Sequence, residues 1–397
     1  MTARIQDGTE SAAALYVAFE LGWSKWLLGF SVGLGQPARR IEVNARDLDR
    51  VSAEIARAKR RLGLPATAPV VSCYEAGRDG AWLHRWLVAH RVANHVVDAA
   101  SIEVNRRYRR AKSDRLDVEK LLAMLIRFAQ GERRVWKVVH VPPPEAEDLR
   151  QPERELLTLK RERTQHVNRM KGLLAGLGLD LVVDKQLPQR LSDLRQWNGL
   201  PVPPQLRSRV LREYARVELL DRQIADLENA QRRAARDDQA RQVGKVRNLL
   251  GVRGVGAQSA LLLVRELFGW REIKNRREVA ALAGLAPTPY DSGQMRREQG
   301  ISKAGSKRIR WLMVELAWDW LHWQPESRLA VWYKKRFGEG GARLRKIGIV
   351  ALARKLLVAL WRLADEGEIP EGAVLTDWYK KVTGRLAKRR ATQPAPA

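Results

Sequence analysis

Leu15-Tyr-Val-Ala-Phe-Glu20 and Val70-Val-Ser-Cys-Tyr-Glu75 are two short apolar runs, each closed by a glutamate. A third stretch, Lys112-Ser-Asp-Arg-Leu-Asp117, puts two aspartates three residues apart at the start of an apolar-periodic segment. Positions i and i+3 share one face of a helix, so Asp114 and Asp117 are expected to point the same way. Carboxylates gathered at one point repel one another unless cations sit between them. Hard divalent ions such as Mg2+ (or Mn2+) take oxygen ligands of this kind. Glu20, Glu75, Asp114 and Asp117 therefore form a candidate metal-binding and catalytic tetrad of the sort that serves two-metal phosphodiester chemistry.

The surrounding pattern predicts where these residues lie. Leu15–Gly22, Trp26–Gly33 and Arg40–Asn44 read as three antiparallel strands divided by Gly, Ser and Pro. Asp47 is placed to cap a helix that runs to about Leu62, with Val51, Ile55, Ala58 and Leu62 on one face. A fourth strand at Val70–Tyr74, a helix at Ala81–His90, a fifth strand at Asn94–Val97 and a helix ending near Phe128 complete the region. That order is the order of the ribonuclease H-like, or RuvC-like, fold, in which all four carboxylates meet at one edge of a mixed sheet. The basic run Arg106, Arg107, Tyr108, Arg109, Arg110, Ala111, Lys112 lies beside the tetrad and reads as a nucleic-acid backbone contact, or else as a charged surface loop.

Composition agrees with a polyanionic partner. The 397 residues include 73 Lys+Arg against 45 Asp+Glu, a formal net charge of +28, and such an excess favours nucleic acid. A ribosomal or membrane-surface protein is the plainer reading of charge alone. One cysteine, Cys73, excludes an intramolecular disulfide, and the six histidines are scattered without zinc-site spacing. Arg4, Asp7 and Glu10 precede the first apolar run, unlike a signal peptide. No stretch approaches the roughly 18 apolar residues of a membrane span. A cytoplasmic, nucleoid-associated protein is expected, with no membrane partner.

The chain divides by composition into residues 1–140, 145–240 and 245–385, with a basic, Pro-rich tail at 386–397 expected to be disordered. Pro142-Pro-Pro144 marks the first boundary. Leu149, Leu156, Leu159, Val167, Met170 and Leu174, then Val210, Val217, Leu220, Ile224 and Leu227, recur at near-heptad spacing. They predict an antiparallel helical hairpin or coiled-coil segment, serving as a dimerisation or RNA-binding arm or simply as bundle helices. The third region reads as all-helical. Leu250-Gly-Val-Arg-Gly-Val-Gly256 looks like a helix-hairpin-helix loop, in which Arg253, Gly254 and Gly256 would let backbone amides approach a DNA phosphate. Ala283-Gly-Leu-Ala-Pro-Thr-Pro-Tyr-Asp-Ser-Gly293 and Gly300-Ile-Ser-Lys-Ala-Gly-Ser-Lys-Arg-Ile-Arg310 follow. Asp291-Ser292-Gly293 reads by default as a turn. Lys303, Lys307, Arg308 and Arg310 cluster just beyond it and could clamp a phosphate. The tryptophans, among them Trp311, Trp318 and Trp320, are expected in the core rather than as base-stacking platforms.

Together, Asp-Arg-Leu-Asp at 114–117, Tyr-Glu-Ala-Gly at 74–77, Gly-Val-Gly at 254–256 and the Leu-Ala-Pro…Ser-Gly…Ile-Ser-Lys-x-Gly block at 285–305 carry a resemblance over nearly the whole chain. The sequence resembles the DEDD serine transposases of the bacterial insertion-sequence family one-ten, also called bridge recombinases. The resemblance implies an α/β plus all-α chain: an N-terminal RuvC-like domain, a helical coiled-coil segment and a C-terminal helical transposase domain. It implies that Ser292 is a nucleophile forming a serine–DNA link and that Glu20, Glu75, Asp114 and Asp117 bind the metal. It also implies DNA ends and target as substrate, a structured non-coding guide RNA, and a homodimer or homotetramer that shares active sites. Two positions depart from the family pattern. Glu20 stands where Asp is usual, moving the carboxylate by about one bond length at a site where Mg2+ demands strict geometry. Ser306 stands where Asn is common, and both can hydrogen-bond locally. Two alternatives stay open: a RuvC-like endonuclease that resolves branched DNA by hydrolysis, and an inactive nucleic-acid-binding descendant.

Overall fold

A computed structural model describes residues 13–77, 80–102, 114–234, 241–292 and 295–382, with backbone alone at 114–115, 241–243, 290–292 and 295–298. The chain forms two compact units, Met1–Pro142 and Pro143–Ala397. The run Arg106–Lys112 and the tail at 386–397 lie outside the described residues.

The first unit contains β1 (Leu15–Leu21), β2 (Lys25–Ser31), β3 (Arg39–Asn44), α1 (Leu48–Arg61), β4 (Val70–Glu75), α2 (Trp82–Ala89), β5 (Val92–Val97) and α3 (Asp114–Ala129). The strands form one mixed sheet in the order β3-β2-β1-β4-β5. The first three are antiparallel, and β1–β4 and β4–β5 are parallel. This is the element order expected from the sequence, consistent with a ribonuclease H-like core. Both faces of the sheet are covered, which explains why β1 and β4 are near-continuous apolar runs rather than alternating ones. On one face Leu15, Val17, Phe19 and Tyr74 pack with Val51, Leu83 and Leu87 of α1 and α2. On the other, Ala18 and Cys73 meet Val118, Leu121, Leu122 and Leu125 of α3. Gly29 of β2, opposite Ala18, lets Val118 ride close over the sheet.

Local chemistry sets the helix boundaries. Asp47 accepts a hydrogen bond from the Arg50 backbone N–H at 3.0 Å and caps α1 as expected. Glu54, buried on that helix, is paired by Arg50 at 2.9 Å and Arg57 at 2.7 Å. Burial pushes the Cys73 thiol up, so this cysteine behaves as a small core residue and not as a nucleophile.

The second unit contains α4 (Pro144–Asp148), α5 (Gln151–Ala175), α6 (Leu187–Asp193), α7 (Pro204–Ala234), α8 (Arg241–Leu250), α9 (Ala257–Leu263), α10 (Arg276–Leu282), β6 (Pro287–Ser292), β7 (Met295–Ile301), α11 (Lys307–Trp323), α12 (Arg328–Phe337) and α13 (Ala342–Glu366). The two long helices α5 and α7 pack antiparallel. Leu156 and Leu159 near the start of α5 meet Leu220 and Ile224 toward the end of α7. Met170 and Leu174 at the other end of α5 meet Val210 and Tyr214. Arg163–Asp221 and Arg169–Glu213 (2.9 Å) zip the flanks. The base of α5 is tied to a π-turn at Val264–Phe268 by Arg154, which donates to Glu266 at 2.7 Å and 3.1 Å, and by Arg265, which donates to Glu153.

The expectation of an all-helical third region needs correcting. β6 and β7 form a two-stranded antiparallel hairpin between α10 and α11. Pro287 and Pro289 open that strand in a segment with no apolar alternation, so period gave no strand signal. The tryptophan expectation also fails for two of the three residues named. Trp320 is 2% exposed in the α11 core, whereas Trp311 and Trp318 are 51% and 47% exposed. α11 buries Ile309, Leu312, Met313, Leu316, Ala317 and Trp320, and that stripe leaves positions 311 and 318 on its outer face.

Candidate functional site

Register sets the two strand glutamates of the first unit side by side. β1 and β4 run parallel with Phe19 opposite Tyr74, so the next step along both strands aligns Glu20 with Glu75. Side chains alternate between faces along a strand. Glu20 follows Tyr16 and Ala18, and Glu75 follows Val71 and Cys73, on the face covered by α3. Asp114 and Asp117 lie in the first turn of α3, just ahead of Val118, which packs over the middle of β1 and β2. Glu20 and Glu75 thus lie at the ends of adjacent parallel strands, on the face that the described part of α3 covers. Glu20 and Asp117 are half-buried and Glu75 is exposed. The side chain of Asp114 lies outside the description, and among the described residues no three His, Cys, Asp or Glu form a ready metal-binding group. The donor chemistry is nonetheless all-oxygen, which suits Mg2+ or Mn2+ rather than zinc.

Behind this edge lies a neutral polar relay that sequence reading missed. Ser72 on β4 donates to Asn94 on β5 at 2.8 Å, and the Asn94 amide donates at 3.0 Å to Nδ1 of His84 on α2. A ring nitrogen that accepts cannot carry the proton, so His84 is neutral there. Burial, with the Arg85 charge beside it, holds its pKa below the usual histidine value. Burial likewise lowers His95, which stands edge-on to Phe128 at 5.1 Å.

In the second unit the Gly-rich loop lies between α8 and α9. Gly254 has φ +89° and packs against Trp323, and Gly256 caps α9. The Arg253 backbone is held at both ends: its N–H donates to Val374 at 3.0 Å and its carbonyl accepts from the buried Gln324 amide at 2.7 Å. Its side chain is exposed. Gln324 also donates to the Val374 carbonyl at 3.0 Å and accepts from the Val374 N–H at 2.6 Å. A lone Gln at a helix end carries no sequence signal, so its role in fixing the loop becomes visible only in the fold.

Ser292 is the last residue of β6, paired with Met295 across a connection at residues 293–294. Asp291 and Ser292, expected in a turn, are instead the last two residues of β6. The hairpin rises from a knot of backbone. Gly284 has φ +66° and Gly305 φ +144°, and a Cβ on Gly305 would stand 2.5 Å from the Gly284 nitrogen and the Leu282 carbonyl. Ser302, Lys303 and Ser306 donate backbone N–H bonds to Ala286 (2.8 Å), Gly284 (3.1 Å) and Leu282 (2.7 Å). Lys303 adopts φ +56°, a conformation uncommon outside glycine. Arg310 serves this knot, donating to the Ala283 and Lys303 carbonyls at 3.2 and 3.1 Å. It braces the fold at this point. Lys303, Lys307 and Arg308 remain exposed beside the hairpin. Ser306 caps α11 by accepting from the Ile309 N–H, the local bond that either Ser or Asn can make.

Comparison with known proteins bears on this arrangement. Residues 246–331, from the Gly-rich loop through the serine hairpin into α12, match the family described as Transposase IS116/IS110/IS902. The chain is 42% identical over 380 residues to the putative transposase y4rJ of Sinorhizobium fredii, covering 91% of this chain and 94% of that one. It is 26% identical over 285 residues to a probable family 20 transposase of Pseudomonas aeruginosa (70% and 80% covered). It is 28% identical over 214 residues to the transposase for insertion sequence element IS1328 of Yersinia enterocolitica (53% and 61% covered). Among the described residues no helix is long and apolar enough to cross a membrane. With 42% identity over nearly its full length to one putative transposase and a family match that spans the loop and hairpin, the chain belongs to the IS116/IS110/IS902 family of transposases, enzymes of DNA transposition.

Proposed function

We propose that this transposase cuts and rejoins insertion-element DNA through a covalent serine–DNA intermediate, with Ser292 as nucleophile. The observation that carries the reading is the shared edge of Glu20 and Glu75 on adjacent parallel strands beside the first turn of α3. A purely binding protein has no need for carboxylates aligned there in a chain of net charge +28. Glu20, Glu75, Asp114 and Asp117 would hold Mg2+ or Mn2+, which when bound neutralises charge on the scissile phosphate. The longer Glu20 side chain would reach the same point from a β1 backbone set slightly farther back.

Ser292 Oγ attacks phosphorus, and the bond from phosphorus to the leaving strand oxygen breaks as the serine O–P bond forms. The serine proton goes to solvent base, and the leaving oxygen departs as a strand hydroxyl. A hydroxyl of another strand then attacks the same phosphorus and releases Ser292, so phosphodiester bonds are exchanged with no net hydrolysis and no nucleotide cofactor. Lys303, Lys307 and Arg308, beside the hairpin, offset the phosphate charge during the attack. The tetrad of one protomer and the serine of another act on one phosphate in a homodimer or homotetramer. A structured non-coding RNA selects the target, and the large positive charge favours such a partner.

The test is a denaturing-gel assay for protein–DNA adducts, using labelled element-junction DNA, Mg2+, and RNA transcribed from the flanking sequence. The expected result is an adduct that disappears in Ser292→Ala and falls by on the order of 10²–10³-fold in Asp117→Ala, the usual effect of removing a charge-stabilising group. Cleavage that survives Ser292→Ala without any adduct would replace this reading with a hydrolytic endonuclease. Adduct formation unaffected by omitting RNA would remove the guide.

A further inference from the structure

The second unit contains a groove of about 1030 Å³ that none of the residues discussed so far explains. Its walls are α10, the foot of β6, α12 and α13, and its floor includes Ala280, Pro287, Leu329 and Val358. Six cationic side chains line it against two acidic ones. Both acids are already used: Glu371 pairs with Arg328, and Glu368 lies 3.5 Å from Arg362. Arg276, Arg277 and Arg354 have no ion-pair partner among the described residues, and Arg354 is half-buried. Lys355 sits 4.7 Å over the Trp332 ring, which holds its ammonium at the groove wall. A half-buried arginine without a carboxylate is an unbalanced charge, and Arg354 together with the exposed Arg276 and Arg277 beside an apolar lining fits a ligand that brings several anionic groups.

Size and position narrow the ligand. The volume lies at the upper limit for small-molecule sites. Ala286 and Pro287 in the groove lining lead into β6, the strand that ends in Ser292. Five strand steps of about 3.3 Å separate Pro287 from Ser292, roughly the span of a few nucleotides. We propose that this groove binds the sugar-phosphate backbone of a single DNA strand, through Arg276, Arg277, Arg354 and Lys355, and leads that strand along β6. The reading of Ser292 as nucleophile supplies the strand's destination, but binding in the groove stands without it.

The test uses the full chain and a fluorescently labelled single-stranded DNA oligonucleotide, with chelator present so that no chemistry occurs. Anisotropy is followed across a salt series for wild type and for Arg276→Gln/Arg277→Gln/Arg354→Gln. The reference is Arg209→Gln/Arg212→Gln/Arg222→Gln, which removes the same charge from the exposed face of α7. Three lost phosphate contacts are expected to flatten the slope of log affinity against log salt by about 2, with a loss of roughly tenfold or more at low salt. The triple Arg→Lys groove variant should keep most of the slope. Equal losses in groove and α7 variants would reduce the effect to overall charge and overturn the proposal. Absence of DNA binding by wild type, or displacement by RNA of the same sequence at far lower concentration, would also overturn it. The adduct assay separates the two readings: unchanged DNA binding in the groove variant with normal adducts removes the groove and leaves the serine, whereas weakened binding with no wild-type adduct does the reverse.

Discussion

The carboxylate edge of the first unit and the serine hairpin of the second are built by opposite means. At the edge, regular structure places the residues: parallel register aligns Glu20 with Glu75, and Asp114 and Asp117 stand three apart on α3. A one-residue slip of β1 or β4 would turn Leu15, Val17, Phe19 and Cys73 to the wrong faces of the sheet. At the hairpin, irregular backbone does the placing. Gly284, Gly305 and the left-handed Lys303 knot the ends of α10 and α11, and Arg310 braces the knot. A site held by repeating pattern tolerates many changes of side chain. A site held by a few conformations depends on single atoms.

The largest expected effect tests how the second unit holds α11 beneath that hairpin. Trp320→Ala should cost about 3–5 kcal/mol in denaturant unfolding, because it empties a buried ring and removes the 2.8 Å bond to Ser327. Trp311→Ala, on the exposed face of the same helix, should stay within about 0.5 kcal/mol. Equal losses at both would mean that the outer tryptophans are covered by a partner or a second copy.

A smaller effect sharpens the contrast directly. Gly305→Ala should destabilise by at least about 1–3 kcal/mol from its backbone conformation alone, with the clash at 2.5 Å added. Gly172→Ala, in α5 with open space around the new methyl, should instead stabilise by about 0.5–1 kcal/mol. Melting curves of the two variants moving in the same direction would break the claim that the knot depends on glycine.

The smallest effect belongs to the sheet. His84 and His95 have folded pKa values below the ordinary 6.5, lowered first by burial. The unfolded chain therefore binds more protons between the folded and unfolded values, so stability rises with pH through that window. It should be complete above about 6.5 and decline as the pH falls below it. A His84→Gln/His95→Gln variant should show a flatter decline in thermal unfolding of the first unit. An unchanged slope would move the acid sensitivity to other groups.

The contrast also explains what could be read in advance. The five strands and their helices were legible because each strand carries an apolar run and each helix a cap or a periodic face. Asp47 and the Val51–Ala58 stripe behave as their spacing implies. The hairpin was not legible: Pro287-Thr-Pro-Tyr has neither strand period nor hydrophobic face, and the pairing with β7 supplies what local pattern lacks. Arg310 read as one more cation in a basic cluster, yet two backbone carbonyls claim it. The Ser72–Asn94–His84 relay and Gln324 left no signature, since each joins residues from different elements.

Sequence alone determined the order of strands and helices, the acidic residues that end them and the positive charge that calls for nucleic acid, because these are properties of short periods and of sums. Tertiary structure alone decided which tryptophans are buried, which arginines are left without partners in the α10–α13 groove, and how Ser292 is carried on a strand. Those outcomes depend on which surfaces meet, and burial and pairing between residues far apart in the chain are settled only when the packing is complete.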